Sequence, residues 1–286
     1  MAIMHYNQFK KIFNEIIFEK SKADLLEKIA HNPSRYIGLF RPTKPKAKIL
    51  QNLLQSHEIR FGDAFEHVIE IYLRLKGCEI LPKRFIAENG DILNIDQCFK
   101  KGSKIYFIEQ KIRDDHDSTK KRGQIENFEK KLNVLLSKYS ETELVGVFYF
   151  IDPDLVKNKN FYTTELAKMT IDYGVETHIF YGQPLFDYLN FSDIWVEILH
   201  YLEQWRKEIP DLPEINFDLE SQHTFEEIKD LNPLVFRKLL EHDGIFREIV
   251  LTLFPEKATL KLLLSYFETK EKTIYKTITN NLKRKL

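Results

Sequence analysis

Between Glu79 and Ile112 the chain passes through three β-type runs, Glu79 to Ile86, Ile92 to Phe99 and Lys104 to Ile112, with helical periodicity on both sides. Phe61 to Lys76 places apolar residues at three-to-four spacing and is followed by Gly77, a residue suited to the left-handed conformation that closes helices. Ser118 to Tyr139 reads as a long charged helix, and Glu143 to Ile151 and Glu176 to Phe180 as buried strands. Helix, three-strand meander, helix, strand, strand is an α/β (α+β) order. It predicts a mixed central sheet flanked by helices.

Further helices are expected over His5 to Ala30, from Lys48 to Gln55, and over Tyr188 to Trp205. Glu208 to Gln222 is polar and carries prolines, and from Phe225 onward the pattern is helical throughout. The expected organisation is a main domain over 1–207, with its core at 60–190 and an N-terminal helical part at 1–55. A linker over 208–222 and a small all-helical C-terminal subdomain over 223–286 follow. The last stretch, Lys270 to Leu286, has six Lys or Arg against one acid. Over the whole chain 43 basic residues balance 43 acidic ones, so any affinity for nucleic acid must come from local clusters. No apolar run approaches the ~18 residues that span a bilayer, and Met1 to Lys10 lacks a secretory segment. No membrane attachment is expected on that ground, and Cys78 and Cys98, which lack zinc-site spacing, suggest a reducing cytoplasm.

The second and third β-type runs carry the chemistry. A polar turn at Lys100-Lys101-Gly102-Ser103 of two or four residues puts Phe99 opposite Lys104, Asp96 opposite Phe107 and Asn94 opposite Glu109. Opposed residues share a face, as do residues two apart. Asp96, Glu109 and Lys111 then emerge together, while Leu93, Ile95, Phe99, Tyr106 and Ile108 form a core face and Asp91 points away. Two neighbouring carboxylates can grip a divalent cation. A lysine on the same face addresses whatever that cation polarises, the minimal apparatus for phosphodiester hydrolysis. The triplet Glu-x-Lys alone means little, because it occurs at Glu109, Glu129, Glu227 and Glu268. The last three lie in helical stretches and read as solvated faces. Only the first follows an apolar β-run and has an acid across a hairpin.

This order of elements, with Asp96, Glu109 and Lys111 at those places, resembles the PD-(D/E)xK nuclease superfamily and, within it, a type II restriction endonuclease. The likeness runs roughly from Gly62 to Ile151. It departs from the family pattern at Ile95, where a proline is usual. The resemblance implies that Glu66 is the acid contributed by the preceding helix, and that Asp96, Glu109 and Glu66 hold one or two Mg²⁺ ions. It further implies cleavage of double-stranded DNA to 5′-phosphate ends, and a cognate DNA methyltransferase acting on the same site. A palindromic target suits a homodimer, since protein and site symmetry then match. The alternatives are a nuclease of repair or recombination, and a non-catalytic DNA-binding protein of the same fold.

Lys111 is followed by a segment rich in groups that read base edges: Arg113, Asp114, Asp115, His116, Asp117, Ser118 and Gln124. Lys120, Lys121 and Arg122 suit phosphates. The plainer alternative is a solvated loop whose Ser118 or Thr119 caps the next helix. A second basic loop, Arg41 to Lys48 with Lys44 and Lys46, either grips the DNA backbone or is a solvated turn.

Overall fold

The computed structural model describes residues 2–19, 21–38, 40, 42–87 and 90–286. The chain forms two compact units, one of Met1–Phe13 with Gly62–Glu208 and one of Asn14–Phe61 with Ile209–Leu286.

The first unit carries the strands: β1 (Glu79–Ile80), β2 (Arg84–Ile86), β3 (Ile92–Asn94), β4 (Gln97–Lys101), β5 (Lys104–Lys111), β6 (Leu144–Phe150) and β7 (Glu176–Tyr181). Five of them make one sheet in the order β1-β4-β5-β6-β7, while β2 and β3 pair separately. The pairs β1/β4 and β4/β5 are antiparallel, and β5/β6 and β6/β7 are parallel. Parallel neighbours need long crossovers, and the helices Ser118–Leu136 and Lys159–Tyr173 supply them. Every residue of β6 is buried. Its unbroken run Leu-Val-Gly-Val-Phe-Tyr-Phe is the composition of a strand covered on both faces. The mixed, helix-flanked sheet expected from sequence is therefore the fold.

Two details differ from the sequence expectation. The first two β-type runs each divide into two short strands. At Ile95-Asp96 the chain bends: the Ile95 N–H donates to Lys83 O (2.8 Å), and Gln97 begins pairing with Ile108. The bend also puts Ile95 in the same apolar cluster as Phe107, away from its expected companions Phe99 and Ile108. The hairpin turn takes only Gly102 and Ser103, Gly102 having φ +62°, so Lys101 faces Lys104 and Phe99 faces Tyr106. The register is thus displaced by two residues. A two-residue displacement preserves facing, so Asp96 still reaches the side of Glu109.

Helix Pro45–Leu75 is continuous across the two helices expected there, since 56–60 contains no breaker, and it starts on Pro45 as helices often do. Gly77, with φ +82°, ends it, and Cys78 N–H bonds back to Leu73 O (3.0 Å). On one face of the sheet, Cys98, Ile105 and Phe107 pack with Phe128, Leu132 and Leu135 of the Ser118–Leu136 helix and with Tyr162 and Leu166 of the Lys159–Tyr173 helix. The rings of Phe107 and Phe128 lie 4.8 Å apart.

In the second unit, Leu25, Leu26, Ile29, Ile49 and Leu53 share one core with Phe236, Leu239, Leu253, Leu263, Phe267 and Leu282. The stretch expected to be a linker contributes to it. Ile215 and Phe217 are buried there, and Phe217 N–H donates to Leu253 O (2.8 Å).

Gly146 in β6 lies opposite Phe107, and a Cβ there would stand 2.8 Å from Phe107 Cε1 and 3.0 Å from Phe128 Cζ. Both rings are locked in the core, so Gly146→Ala should destabilise the protein by about 1–3 kcal/mol, read as a lowered urea midpoint at unchanged m-value.

Candidate active site

Asp96 sits at the bend before β4, and Glu109 and Lys111 lie near the end of β5. The Asp96 carboxylate is fixed by backbone: Gln110 N–H donates to its Oδ2 (2.7 Å). Lys111 then folds back over the strand end. Its Nζ lies 2.6 Å from Glu109 Oε1, 3.2 Å from Asp96 Oδ2 and 2.8 Å from the Gln110 carbonyl oxygen. Three oxygens thus converge on one cationic atom. Burial pulls the Lys111 ammonium down, but Glu109 and Asp96 outweigh it and hold its pKa above the ordinary lysine value.

Glu109 is 3% exposed. Its other oxygen, Oε2, pairs with Lys131 Nζ from the Ser118–Leu136 helix, and Lys131 is itself 4% exposed. Lys131 belongs to the Glu129 triplet, which the sequence suggested was a solvated face; the structure corrects this. The signal was there in its phase. Three residues after Phe128 and four before Leu135, Lys131 falls on the stripe that the helix buries. A buried ammonium requires a partner, and Glu109 is that partner.

Glu66, on the Pro45–Leu75 helix, pairs with Lys83, which also lies 3.2 Å from Glu70. The Glu66 backbone carbonyl accepts from Gln97 Nε2 (2.6 Å), which ties this helix to β4. Burial pushes the Glu66 carboxyl up; Lys83 opposes this and the nearby Asp96 charge adds to it, leaving it raised. Among the described residues no three His, Cys, Asp or Glu side chains gather as a metal-holding group. The expected three-carboxylate set is therefore not assembled: Lys83 holds Glu66, and the third oxygen at the Asp96–Glu109 point is the Gln110 carbonyl. Two carboxylates and a carbonyl around one cation are hard oxygen donors, and that set fits Mg²⁺.

The segment after Lys111 divides by burial. Asp114 is fully buried: Oδ2 accepts from Asn158 N–H (2.7 Å) and Tyr181 OH (2.9 Å), and Oδ1 from Asn158 Nδ2 (2.8 Å). It faces no solvent and reads no base; it pins the segment to the loop after β6. Burial first, then the Asp114 bond, raise the Tyr181 hydroxyl pKa. Asp117 caps the Ser118–Leu136 helix by accepting from Lys120 N–H (2.8 Å), so the cap expected at Ser118 or Thr119 lies one residue earlier. Gln124 Oε1 accepts from Tyr162 OH (2.5 Å), which commits its amide oxygen to the protein. Asp115, Ser118, Lys120 and Arg122 are exposed, Arg113, His116 and Lys121 half-buried, and Lys121 Nζ stands 4.6 Å over the Phe161 ring. Burial, then the Lys120 charge, lowers the His116 pKa. In the second unit Lys44 and Lys46 are exposed, Lys46 in the first turn of the Pro45–Leu75 helix, and Arg41 lies outside the described residues.

A mixed sheet whose antiparallel hairpin carries an acid and then Glu-x-Lys, backed by a helix bearing Glu66, has the architecture of a PD-(D/E)xK nuclease. The family model described as "Type II restriction endonuclease, HinfI" matches residues 5–84 and 83–206, most of the chain, and the protein belongs to that family. It is a site-specific deoxyribonuclease, and DNA is its substrate. No curated protein and no solved structure matches. The matched span contains every residue of the candidate site and ends where the Ser192–Arg206 helix ends. Among the described residues no helix is long and apolar enough to cross a membrane.

Asp114→Ala should remove a buried acceptor and strand Asn158 and Tyr181 OH. Each hydrogen bond to a charged group contributes about 1.5–3 kcal/mol, so a loss of that order or more is expected in chemical unfolding.

Proposed function

We propose that Asp96, Glu109 and Lys111 form the phosphodiester-cleaving centre of this restriction endonuclease. It acts with Mg²⁺ on both strands of a duplex and leaves 5′-phosphate and 3′-hydroxyl ends. The observation that carries this reading is the convergence of Asp96 Oδ2, Glu109 Oε1 and the Gln110 carbonyl on Lys111 Nζ. An ammonium stands where a metal ion would be gripped. Those oxygens would hold Mg²⁺, which when bound would supply Lewis acidity at the scissile phosphate and make an attacking water more acidic. Asp96 and Glu109 bring negative charge to the binding point, and the Gln110 N–H keeps Asp96 from rotating away. Lys111, released from the carboxylates, orients the water and donates to the developing negative charge. Glu66 serves a second ion, or a water, once it leaves Lys83.

Arg113, Asp115, His116 and Ser118 are offered to base edges by a segment that Asp114 holds in place, while Lys120, Lys121 and Arg122 neutralise phosphates. Lys44 and Lys46 add backbone contacts. A homodimer fits a palindromic site, a methyltransferase of matching specificity protects the host, and the cytoplasm is where both meet DNA.

Asp96→Asn, Glu109→Gln and Lys111→Ala should each lower single-turnover plasmid cleavage by ~10²-fold or more, while duplex binding in Ca²⁺ persists. EDTA should abolish cleavage, and end mapping should reveal 5′-phosphates. Mn²⁺ binding, followed by electron paramagnetic resonance, should tighten in Lys111→Ala, because the competing ammonium is gone. Native-like cleavage by any of the three variants would sink the assignment.

Lys120→Ala and Lys121→Ala should weaken all duplexes alike and flatten the salt dependence by about one counterion each. Arg113→Ala should cost about 1–3 kcal/mol at one base position. Binding to cognate and single-mismatch duplexes across a salt series separates the two behaviours, and an unchanged cognate preference in Arg113→Ala would place recognition elsewhere.

A further inference from the structure

Glu109 is held by two lysines from two elements. Lys111, on its own strand, takes Oε1, and Lys131, on the Ser118–Leu136 helix, takes Oε2. The two differ in environment: the Lys111 side chain is 28% exposed and that of Lys131 only 5%. Lys131 is enclosed by the core that Phe128, Leu132 and Leu135 form, so it does not reach DNA, and among the described residues its acidic partner is Glu109. Nor does the pair explain itself as a source of stability, since apolar replacements of buried ion pairs are often as stable or more so.

We propose that Lys131 is a positioning residue of the cleavage centre. By pinning Oε2 it fixes the plane of the Glu109 carboxylate, so that Oε1 alone faces the point shared with Asp96 and the Gln110 carbonyl. Its charge sets a second property. A cation gripped by Oε1 shares one carboxylate with the Lys131 ammonium, and the two repel. The ion is held less tightly, and the carboxylate donates less to it. This inference rests on the cleavage centre proposed above, but neither the Asp…Glu-x-Lys pattern nor the family match names Lys131.

The test compares Lys131→Met, which keeps length and loses charge and hydrogen bond, with Lys131→Gln, which keeps an N–H donor. Three quantities are read: Mn²⁺ affinity without DNA by electron paramagnetic resonance, single-turnover cleavage with Mg²⁺, and duplex affinity in Ca²⁺. Lys131→Met should cleave about 10–100-fold more slowly, bind Mn²⁺ more tightly, and bind duplex as the native protein does. Lys131→Gln should also bind Mn²⁺ more tightly but recover most of the cleavage rate; it carries the test if the methionine variant does not fold. A purely structural role predicts the opposite pattern, with metal affinity, duplex affinity and cleavage falling together, and that result overturns the inference. So does a folded Lys131→Met that cleaves at the native rate. Native protein that neither binds Mn²⁺ nor cleaves would instead overturn the metal centre itself, and this inference with it.

Discussion

A carboxylate sealed between a sheet and a helix governs the arrangement of this protein. Glu109 is almost fully buried, and burying a charge without a partner costs far more than a folded domain can spare. Two lysines answer that need, and each constrains the fold. Lys131 demands that the Ser118–Leu136 helix lie over β5 in one rotational phase. Lys111 folds its side chain back over the strand end, which joins Glu109 to Asp96. The crossover from β5 to β6 is therefore held by an ion pair as well as by the aromatic contact of Phe107 with Phe128.

Much of this was legible in the sequence. The apolar run of β6, the amphipathic phase of the helix before β1 and the glycine that ends it are local patterns, and local patterns report local structure. The shared facing of Asp96, Glu109 and Lys111 survived a displaced register because side chains alternate with a period of two, so an error of two residues costs nothing. What escaped notice was non-local. The bend at Ile95 depends on a hydrogen bond to Lys83, and burial of Asp114 depends on Asn158 and Tyr181, which arrive from the loop after β6 and the end of β7. A charged side chain looks the same in a sequence whether water or a buried partner receives it. Lys131 reads in the sequence as part of a solvated face, although its phase on an apolar stripe carries the signal that it is buried.

Burial and local hydrogen bonds also sort the polar segment after Lys111 into structural and accessible groups. Asp114, Asp117 and Gln124 are committed to the protein, to a loop, a helix end and a tyrosine respectively. Asp115, Ser118, Lys120 and Arg122 face outward from that rigid base. Groups that read a base must be held while their partners approach, and here the anchoring residues alternate with the exposed ones over a few positions.

The path of the chain through its two units carries a consequence for biosynthesis. The helices of 14–61 bury their apolar faces against residues from Ile215 onward. While a ribosome makes the protein, those helices emerge early and wait, without their partners, through the synthesis of the entire sheet. The sheet unit closes on segments already made by residue 208 and can mature first. The helical unit becomes complete only once the helices beyond Ile215 have emerged, so a nascent chain stalled before them would carry a finished sheet and an orphaned set of early helices, the form most exposed to chaperones and proteases.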